Sequence, residues 1–216
     1  MTTIIDYGIG NLRSLAKAFA AAGVAVERTA DPARIAEAER LVLPGVGAFG
    51  ACADALASHG LTDLVRQRAE AGVPLLGVCV GMQLLFEASE ERPGTDGRPH
   101  DGLGLLPGRI VRFAPGLAAD GQRLKVPHMG WNQLRTVHPH PILDGADGDW
   151  VYFVHSYHAA PSADGDRLAT VAYGGDVPAV TGRDNVVGVQ FHPEKSARAG
   201  LAMLRRFADW TPASAG

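Results

Sequence analysis

The sequence predicts a three-layer α/β fold, in which a largely parallel central sheet has helices on both faces and a mixed or antiparallel extension. In the first half, short apolar runs alternate with segments of helical apolar spacing, joined by short glycine-bearing turns. In the second half, strand-like runs follow one another without long helices, which favours the extension. With 46% hydrophobic residues among 216, we expect one well-buried domain over residues 1–216.

The first half is predicted to contain four strands and four helices. Asn11 is positioned to cap the first helix, in which Leu12, Leu15 and Phe19 recur at helical spacing, and Gly23 ends that helix. The predicted strands are residues 3–7, 24–26, 40–43 and 73–78. The predicted helices begin at residue 12, cover 48–60 and 61–71, and follow residue 79.

The second half is predicted to be mostly strand. A helix over residues 197–210 closes the fold, residues 91–104 form a surface loop, and residues 211–216 form a loose tail. The predicted strands are residues 109–113, 124–126, 131–137, 150–155, 168–173 and 177–181, followed by an apolar run at 186–191.

Composition and charge exclude several classes of function. The 20 basic and 23 acidic residues are well mixed, so we expect neither a nucleic-acid surface nor a site for anionic membranes. The longest apolar run, residues 73–86, is too short to span a bilayer, and no signal peptide is recognised. The two cysteines lack CxxC spacing, which is typical of a reducing compartment. We therefore expect a soluble cytoplasmic protein.

Cys79 is the strongest candidate for a reactive residue. It follows an apolar strand and is flanked by Gly77 and Gly81, where side chains would obstruct a sharp strand-to-helix turn. Such a turn exposes a nucleophile at the end of a sheet, and a following helix N-terminus stabilises a thiolate. The alternative interpretation is a buried packing cysteine, which is how we interpret Cys52.

Backbone groups near Cys79 are predicted to form an oxyanion hole. The N–H of Val80, directly after the nucleophile, is the first expected donor. The second is expected from the glycine-bearing loop of Val46 and Gly47, because that loop also follows a strand and its glycines permit close approach.

A histidine and a carboxylate end the last apolar run. His192 and Glu194 are two residues apart, so both can project to one face, and Pro193 stiffens the link between them. Glu194 could then hold one imidazole nitrogen while the other faces Cys79. On its own this segment could be an ordinary turn; combined with the cysteine, it indicates thiol acyl transfer.

No metal or nucleotide cofactor is expected. His155 and His158 are three residues apart at a strand end, but no third ligand has supporting spacing. The glycines at 8–10 and 45–47 do not complete a dinucleotide or phosphate-binding fingerprint.

These motifs together resemble the class I (triad) glutamine amidotransferases, and within that class the glutaminase subunits of imidazole glycerol phosphate synthase. The resemblance covers nearly the whole chain. Beyond the cysteine turn it rests on DYGIGNL at 6–12, LPGVGAF at 43–49, PHMGWN at 127–132, YFVHSY at 152–157 and QFHPEKS at 190–196. The departures are Val80, where leucine is more usual, and His158, where another aromatic residue is common.

The resemblance implies glutamine hydrolysis through a glutamyl thioester, with Cys79 as nucleophile, His192 as acid and base, and Glu194 orienting His192. It also implies which residues bind glutamine: Gly47, Gln83, Glu91, Ser156 and Tyr157. A carboxylate such as Glu91 suits the substrate's α-ammonium group, and backbone donors suit its α-carboxylate.

The resemblance further implies a heterodimer with a (β/α)8-barrel cyclase subunit, which uses the ammonia to make imidazole glycerol phosphate and an aminoimidazole carboxamide ribonucleotide. Asn11, Met129, Trp131 and Asn132 are the residues expected to face this partner. The alternatives are ordinary ones: Asn11 as a helix cap only, and Trp131 as a core aromatic.

Other functions with similar chemistry stay open at this point. One is a class I glutaminase that serves tryptophan, pyridoxal phosphate or pyrimidine synthesis. A second is a cysteine peptidase or γ-glutamyl hydrolase. A third is a non-catalytic regulatory or binding subunit, in which a defect would be expected in Cys79, His192 or Glu194; all three are present.

Overall fold

A mixed eight-stranded sheet forms the centre of the computed structural model, which describes residues 1–91, 99–119 and 121–212. The helices of these residues are α1 (Leu12–Ala21), α2 (Pro32–Ala36), α3 (Phe49–Ser58), α4 (Thr62–Glu70), α5 (Val80–Gln83) and α6 (Ala197–Asp209). The first eight strands are β1 (Thr2–Ile5), β2 (Val26–Thr29), β3 (Arg40–Gly45), β4 (Leu75–Cys79), β5 (Phe86–Ser89), β6 (His100–Asp101), β7 (Leu106–Arg112) and β8 (Ala118–Ala119). The others are β9 (Gln122–Arg123), β10 (His128–Gln133), β11 (Arg135–Thr136), β12 (Trp150–His155), β13 (Tyr157–Pro161), β14 (Arg167–Ala172), β15 (Asp176–Arg183) and β16 (Val186–Val189).

The predicted parallel sheet with helices on both faces is confirmed. The sheet order is β11-β14-β15-β16-β4-β3-β1-β2, and its five strands from β16 to β2 are parallel. The chain moves outward from β1 to β2 through α1 and then returns to β3 and β4 through the next three helices. Right-handed crossovers in opposite directions place α1 on one face and α2 to α4 on the other. Helix α6 packs against α1.

The antiparallel extension is present, but it does not hold every strand of the second half. Strands β15, β14 and β11 continue the central sheet with antiparallel pairing. A separate sheet has the order β13-β7-β5-β6, and β10 pairs with β12 alone. Strands β8 and β9 form a third small sheet, so the described residues add three smaller sheets to the central one.

Three predicted strands were wrong in place or in kind. The strand predicted over residues 131–137 is divided between β10 and β11, which belong to different sheets. The second strand begins at Val26, because the N–H of Val24 donates to Phe19 (2.9 Å) to close α1 after Gly23, which has φ +75°. Residues 124–126 are not a strand: the carbonyl of Lys125 accepts from the Tyr173 hydroxyl (2.5 Å).

Several short elements were missed. Helix α2 has Asp31 as its N-cap, which accepts from the N–H of Ala33 (3.0 Å), and Pro32 at its start; it is too short to show periodicity. Strands β5 and β13 were also missed, and β6 lies inside the predicted 91–104 loop. The rest of that loop at 92–98, and residues 213–216 of the predicted tail, lie outside the described residues.

The core lies between the central sheet and its helices. Its largest fully buried side chains include Tyr7, Phe19, Phe49, Phe153 and Phe191. Among the helices of the described residues, none is long and apolar enough to cross a membrane.

Candidate active site

Cys79 is the last residue of β4 and has a strained backbone, with φ +56° and ψ −112°. A β-carbon added at Gly77 would lie 2.7 Å from the carbonyl oxygen of Gly81, and one added at Gly45 would lie 2.5 Å from the Gly81 nitrogen. Side chains at these positions would therefore collide with the turn. The strain of a non-glycine residue at positive φ is of the order of 1–3 kcal/mol and persists because the surrounding contacts enforce it.

The helix after Cys79 is a single turn of four residues, because the chain enters strand β5 soon afterwards. Its dipole is correspondingly smaller than that of a full helix. The N–H of Val80 stands at the first helical position, where it has no acceptor within the helix. A negative charge beside Cys79 is therefore stabilised by these local N–H groups more than by a helix dipole.

His192 and Glu194 form a buried pair in the segment between β16 and α6. The His192 Nδ1 lies 3.0 Å from the Glu194 Oε1, and the two side chains are 5% and 3% exposed. The backbone around them is held as well. The N–H of His192 donates to Tyr152 (3.0 Å), and the Ser196 hydroxyl donates to the carbonyl of His192 (2.7 Å).

The electrostatics of the pair favour a charged imidazole. Burial alone would lower the pKa of His192, but hydrogen bonds to Cys79 and Glu194 and their negative charge raise it to about 9. Burial would raise the pKa of Glu194, but its contact with His192 holds it below the usual range. At neutral pH this arrangement favours an imidazolium beside the carboxylate of Glu194.

Asn11 occupies the N-cap position of α1, as predicted, but its side chain makes no capping hydrogen bond. Its Nδ2 instead lies 3.4 Å from the Glu194 Oε1, a contact that contributes to the lowered pKa of Glu194. The side chain of Asn11 is therefore oriented by the buried carboxylate, while its backbone carbonyl accepts from the N–H of Leu15 (2.9 Å) in the first turn of α1.

A half-open pocket of about 380 Å³ lies in front of Cys79. Nine of the predicted site residues line it: Val46, Gly47, Cys79, Val80, Gln83, Glu91, Ser156, Tyr157 and His192. Glu194 lies behind His192, and the four residues expected to face a partner lie outside the pocket. Four further lining residues were not predicted: Pro127, Val154, His155 and Lys195. All four lie within the segments 127–132, 152–157 and 190–196 that carry the resemblance, which was the available signal.

The orientation of Gln83 is set by its neighbours. Its Nε2 donates to the carbonyl of Tyr157 (3.2 Å) and to the Oε1 of Gln190 (3.1 Å). Both amide protons are therefore used, and only the carbonyl oxygen of Gln83 is left for a ligand in the pocket.

Glu91 is held at the beginning of α3. Its Oε2 accepts from the N–H of Phe49 (2.7 Å), the first residue of that helix. A helix N-terminus stabilises a carboxylate, so this contact fixes a negative charge at the edge of the pocket.

A pair of buried histidines connects the pocket to strand β10. The His155 Nδ1 lies 2.8 Å from the carbonyl of Tyr157, and its Nε2 lies 3.0 Å from the His128 Nδ1. The His128 Nε2 lies 3.3 Å from the Asn132 Nδ2. Burial lowers the pKa of His128 to about 4 and that of His155 to about 3, so both rings are neutral. The Nδ1–H of His128 then donates to the Nε2 of His155, and the Nδ1–H of His155 donates to the carbonyl of Tyr157.

Strand β10 also carries exposed apolar side chains. Met129 is 62% exposed and Trp131 is 49% exposed, and Trp150 on the neighbouring strand is 55% exposed. The alternative interpretation of Trp131 as a core aromatic is therefore wrong. Large apolar side chains exposed side by side are typical of a protein-binding surface.

No group of three or more His, Cys, Asp or Glu side chains is placed to hold a metal ion within the part of the chain that the structure describes. Both cysteines are free and buried.

The chain is similar to known proteins over nearly its whole length. The family model described as "Glutamine amidotransferase class-I" matches residues 3–210. The "Imidazole glycerol phosphate synthase subunit HisH" of Salinibacter ruber is 54% identical, over 96% of this chain and 94% of the relative. The protein of the same name from Ruegeria pomeroyi is 51% identical, over 98% of this chain and all of the relative.

Solved structures show the same fold at low sequence identity. A "glutamine amidotransferase" superposes with a TM-score of 0.73 and 20% identity, covering 96% of this chain and 97% of the other. PurLQS from Thermotoga maritima superposes with a TM-score of 0.70 and 17% identity, with the same coverage.

Proposed function

The chain belongs to the class-I glutamine amidotransferase family, and from this premise we propose that Cys79, His192 and Glu194 are its catalytic triad. It is an enzyme, the glutamine amidotransferase subunit of imidazole glycerol phosphate synthase in histidine biosynthesis. We further propose that residues 1–216 form a single domain of this family. The observation that carries the triad is the strained Cys79 at the pocket that His192 also lines, with Glu194 3.0 Å from His192.

In the proposed first step the Cys79 thiolate attacks the side-chain amide carbon of glutamine. The carbonyl electrons move onto oxygen, and the N–H of Val80 with a second N–H from Val46 or Gly47 stabilises the oxyanion. The intermediate collapses when the C–N bond breaks and the imidazolium of His192 donates its proton to the leaving ammonia. A glutamyl thioester on Cys79 remains.

In the proposed second step neutral His192 removes a proton from water, which attacks the thioester carbon. The second oxyanion collapses with release of the Cys79 thiolate, and glutamate leaves. Glu194 accepts a hydrogen bond from Nδ1 throughout, which keeps Nε2 directed at the reacting atoms and stabilises the imidazolium. The 3.0 Å contact between these two groups supports this role.

Substrate recognition is proposed to use both ends of glutamine. The carboxylate of Glu91 suits the α-ammonium group, and the free carbonyl oxygen of Gln83 accepts a further substrate proton. Backbone groups of Gly47, Ser156 and Tyr157 complete the pocket around the substrate. A non-catalytic role is not favoured, because no member of the proposed triad is replaced.

We propose that the partner subunit is a (β/α)8-barrel cyclase, to which ammonia passes without release to solvent. Exposed Met129 and Trp131 support a protein-binding surface on β10, and Asn132 and Asn11 are proposed to join it. Binding of the partner and its nucleotide is proposed to complete the second oxyanion donor, so the isolated subunit turns over slowly.

The test is glutamate release from glutamine, with the chain alone and with a cyclase subunit carrying its ribonucleotide ligand. We expect low activity alone, strong stimulation by the liganded cyclase, and loss in Cys79→Ala of at least about 10⁴-fold. Glu70→Gln, on an exposed part of α4, is the control and keeps full activity.

Other outcomes separate the parts of the proposal. Vigorous hydrolysis that does not depend on the partner would be consistent with the proposed triad but would contradict the proposed activation by the cyclase. No hydrolysis in either condition, with complex formation verified, would contradict the catalytic role. Alkylation of Cys79 that glutamine prevents would support substrate binding at the thiol independently of turnover.

A further inference from the structure

The hydroxyl of Ser196 joins the segment that carries His192 to strand β12. It donates to the carbonyl of His192 (2.7 Å) and accepts from the N–H of Tyr152 on β12 (3.0 Å). The N–H of His192 in turn donates to the carbonyl of Tyr152 (3.0 Å). Both backbone polar groups of Tyr152 and both of His192 therefore belong to one closed set of three hydrogen bonds. The single side-chain group in that set is the Ser196 hydroxyl.

Ser196 stands at a position where serine commonly caps a helix, but its side chain does not do so. It is the N-cap residue of α6, and its side chain makes no hydrogen bond to the N–H groups of the first turn of that helix. The residue is completely buried, and the one proton of its hydroxyl is directed at the carbonyl of His192. The interpretation of Ser196 as an ordinary helix cap is therefore wrong, because the hydroxyl serves the segment that precedes the helix.

The backbone on both sides of Ser196 is strained or tightly packed. Ala197, the first residue of α6, has φ +47°, a conformation that a non-glycine residue keeps only where the surrounding contacts enforce it. A β-carbon added at Gly200 would overlap the carbonyl oxygen of Pro193. The turn that leads from His192 into α6 is thus held in one arrangement by its neighbours.

We propose that Ser196 is a positioning residue, whose hydroxyl fixes the backbone of His192 against β12 so that the imidazole keeps its place at the pocket beside Cys79. The inference deepens the proposed function and rests on it. His192 and Cys79 line the pocket and Ser196 does not, so Ser196 touches no substrate and acts through the backbone of His192.

The position of His192 in the chain explains why such a contact is needed. The pairing of β16 with β4 ends at Val189 and Val78, one residue before Cys79, whereas His192 lies three residues beyond the end of β16. The central sheet therefore does not set the distance between the two reactive side chains, and the contacts of His192 with β12 take over that task. A displacement of about 1 Å in such a group can lower the rate about 10²-fold.

The experiment measures glutamine hydrolysis by the complex with the cyclase subunit and its ribonucleotide ligand. We expect Ser196→Ala to lower kcat about tenfold to hundredfold and to change KM less than about twofold, because the acid and base of the reaction is displaced and the pocket is not. Ser196→Cys keeps a side chain of similar size with a weak donor, so its kcat is expected to lie between those of Ser196→Ala and the wild type. The control is Asn185→Ala, which removes two side-chain hydrogen bonds to the carbonyls of Ala69 and Val73 (both 2.8 Å) at the opposite end of β16 and is expected to keep full kcat.

Protection of Cys79 by glutamine measures substrate binding without the chemical step. The readout is the glutamine concentration that halves the rate of Cys79 alkylation by iodoacetamide. It is expected to be the same in Ser196→Ala and in the wild type, whereas general damage to the pocket would raise it together with KM.

Four results would overturn the proposal while leaving the proposed triad intact. The first is wild-type kcat in Ser196→Ala, and the second is a rise of KM and of the half-protecting glutamine concentration in step with the fall of kcat. The third is an equal loss of kcat in Asn185→Ala, and the fourth is a kcat of Ser196→Cys no higher than that of Ser196→Ala. Absence of Cys79-dependent hydrolysis in the wild-type complex would overturn the proposed function, and this inference with it.

Discussion

The wall of the pocket that carries Cys79 and the wall that carries Tyr157 are held by different kinds of contact. On the Cys79 wall, backbones of β3, β4 and α5 approach so closely that Gly45, Gly77 and Gly81 have no room for a side chain. On the Tyr157 wall, the carbonyl of Tyr157 accepts hydrogen bonds from Gln83 and from the buried histidine pair. One wall depends on steric fit, and the other depends on a row of neutral donors and acceptors.

The difference has a functional consequence. Close backbone packing has one arrangement and tolerates little change, which suits a nucleophile held in a strained conformation. A hydrogen-bonded row that begins at Asn132 on the exposed strand β10 can respond to changes at that surface. The proposed chemistry is thus placed on the rigid wall, and the hydrogen-bonded contacts towards strand β10 are placed on the other.

The largest expected effect is on the Cys79 wall. In Gly81→Ala the added methyl group would overlap the carbonyl oxygen of Leu43, so the turn cannot keep its geometry. We expect a loss of unfolding free energy of more than about 3 kcal/mol, measured by chemical denaturation. Gly72→Ala, which has positive φ but open space, is the control and is expected to cost about 1 kcal/mol. Equal stability of the two variants would contradict a sterically defined wall.

A smaller effect is expected from titration of His192. Because the pKa of His192 is raised to about 9, the imidazolium that is proposed to donate to ammonia persists through neutral pH and is lost above about 9. We expect kcat for glutamine hydrolysis to fall about tenfold per pH unit beyond that point if ammonia release limits turnover. Its contribution to stability has the same sign: it is present below the ordinary histidine pKa of about 6.5 and is lost as pH rises through about 9.

Glu194→Gln sharpens this measurement. Removal of the carboxylate charge removes one of the causes that raise the pKa of His192. The fall of kcat at high pH is therefore expected to begin at a lower pH. An unchanged limb in this variant would contradict the assignment of the limb to His192. Glu70→Gln, whose side chain lies on the solvent side of α4, is expected to leave the profile unchanged.

The smallest effect is expected on the Tyr157 wall. His128→Leu leaves the Nε2 of His155 without its partner and loosens the carbonyl of Tyr157, which orients Gln83. We expect KM for glutamine to rise about threefold to tenfold, consistent with one lost buried hydrogen bond of about 1 kcal/mol, with a smaller change in kcat. His59→Leu on the surface is the control. A fall in kcat alone would place His128 with the chemical step and not with substrate binding.

Much of the architecture could be predicted from local patterns. The alternation of apolar runs and helical spacing indicated the parallel half, and Gly23 marked the end of α1. The same patterns failed where an element is short or where a backbone group has a distant partner. Helix α2 has only five residues, and Val24 could not join a strand because its N–H closes α1.

What the sequence by itself determined is the type of chemistry and the places where the chain turns. Cysteine between two glycines, and histidine two residues before glutamate, are local features, so their meaning survives without knowledge of the fold. The resemblance to class I glutamine amidotransferases rests on such segments as well.

Only the tertiary structure decided which polar groups form hydrogen bonds with one another. The amide of Asn11 bonds Glu194 across 183 positions of sequence, and Cys52 holds Val46 instead of only filling space. The pairing of His128 with His155 and the orientation of Gln83 likewise depend on neighbours far apart in the chain. A buried donor or acceptor takes whichever partner the packing brings within about 3 Å, and that choice is made by the whole fold.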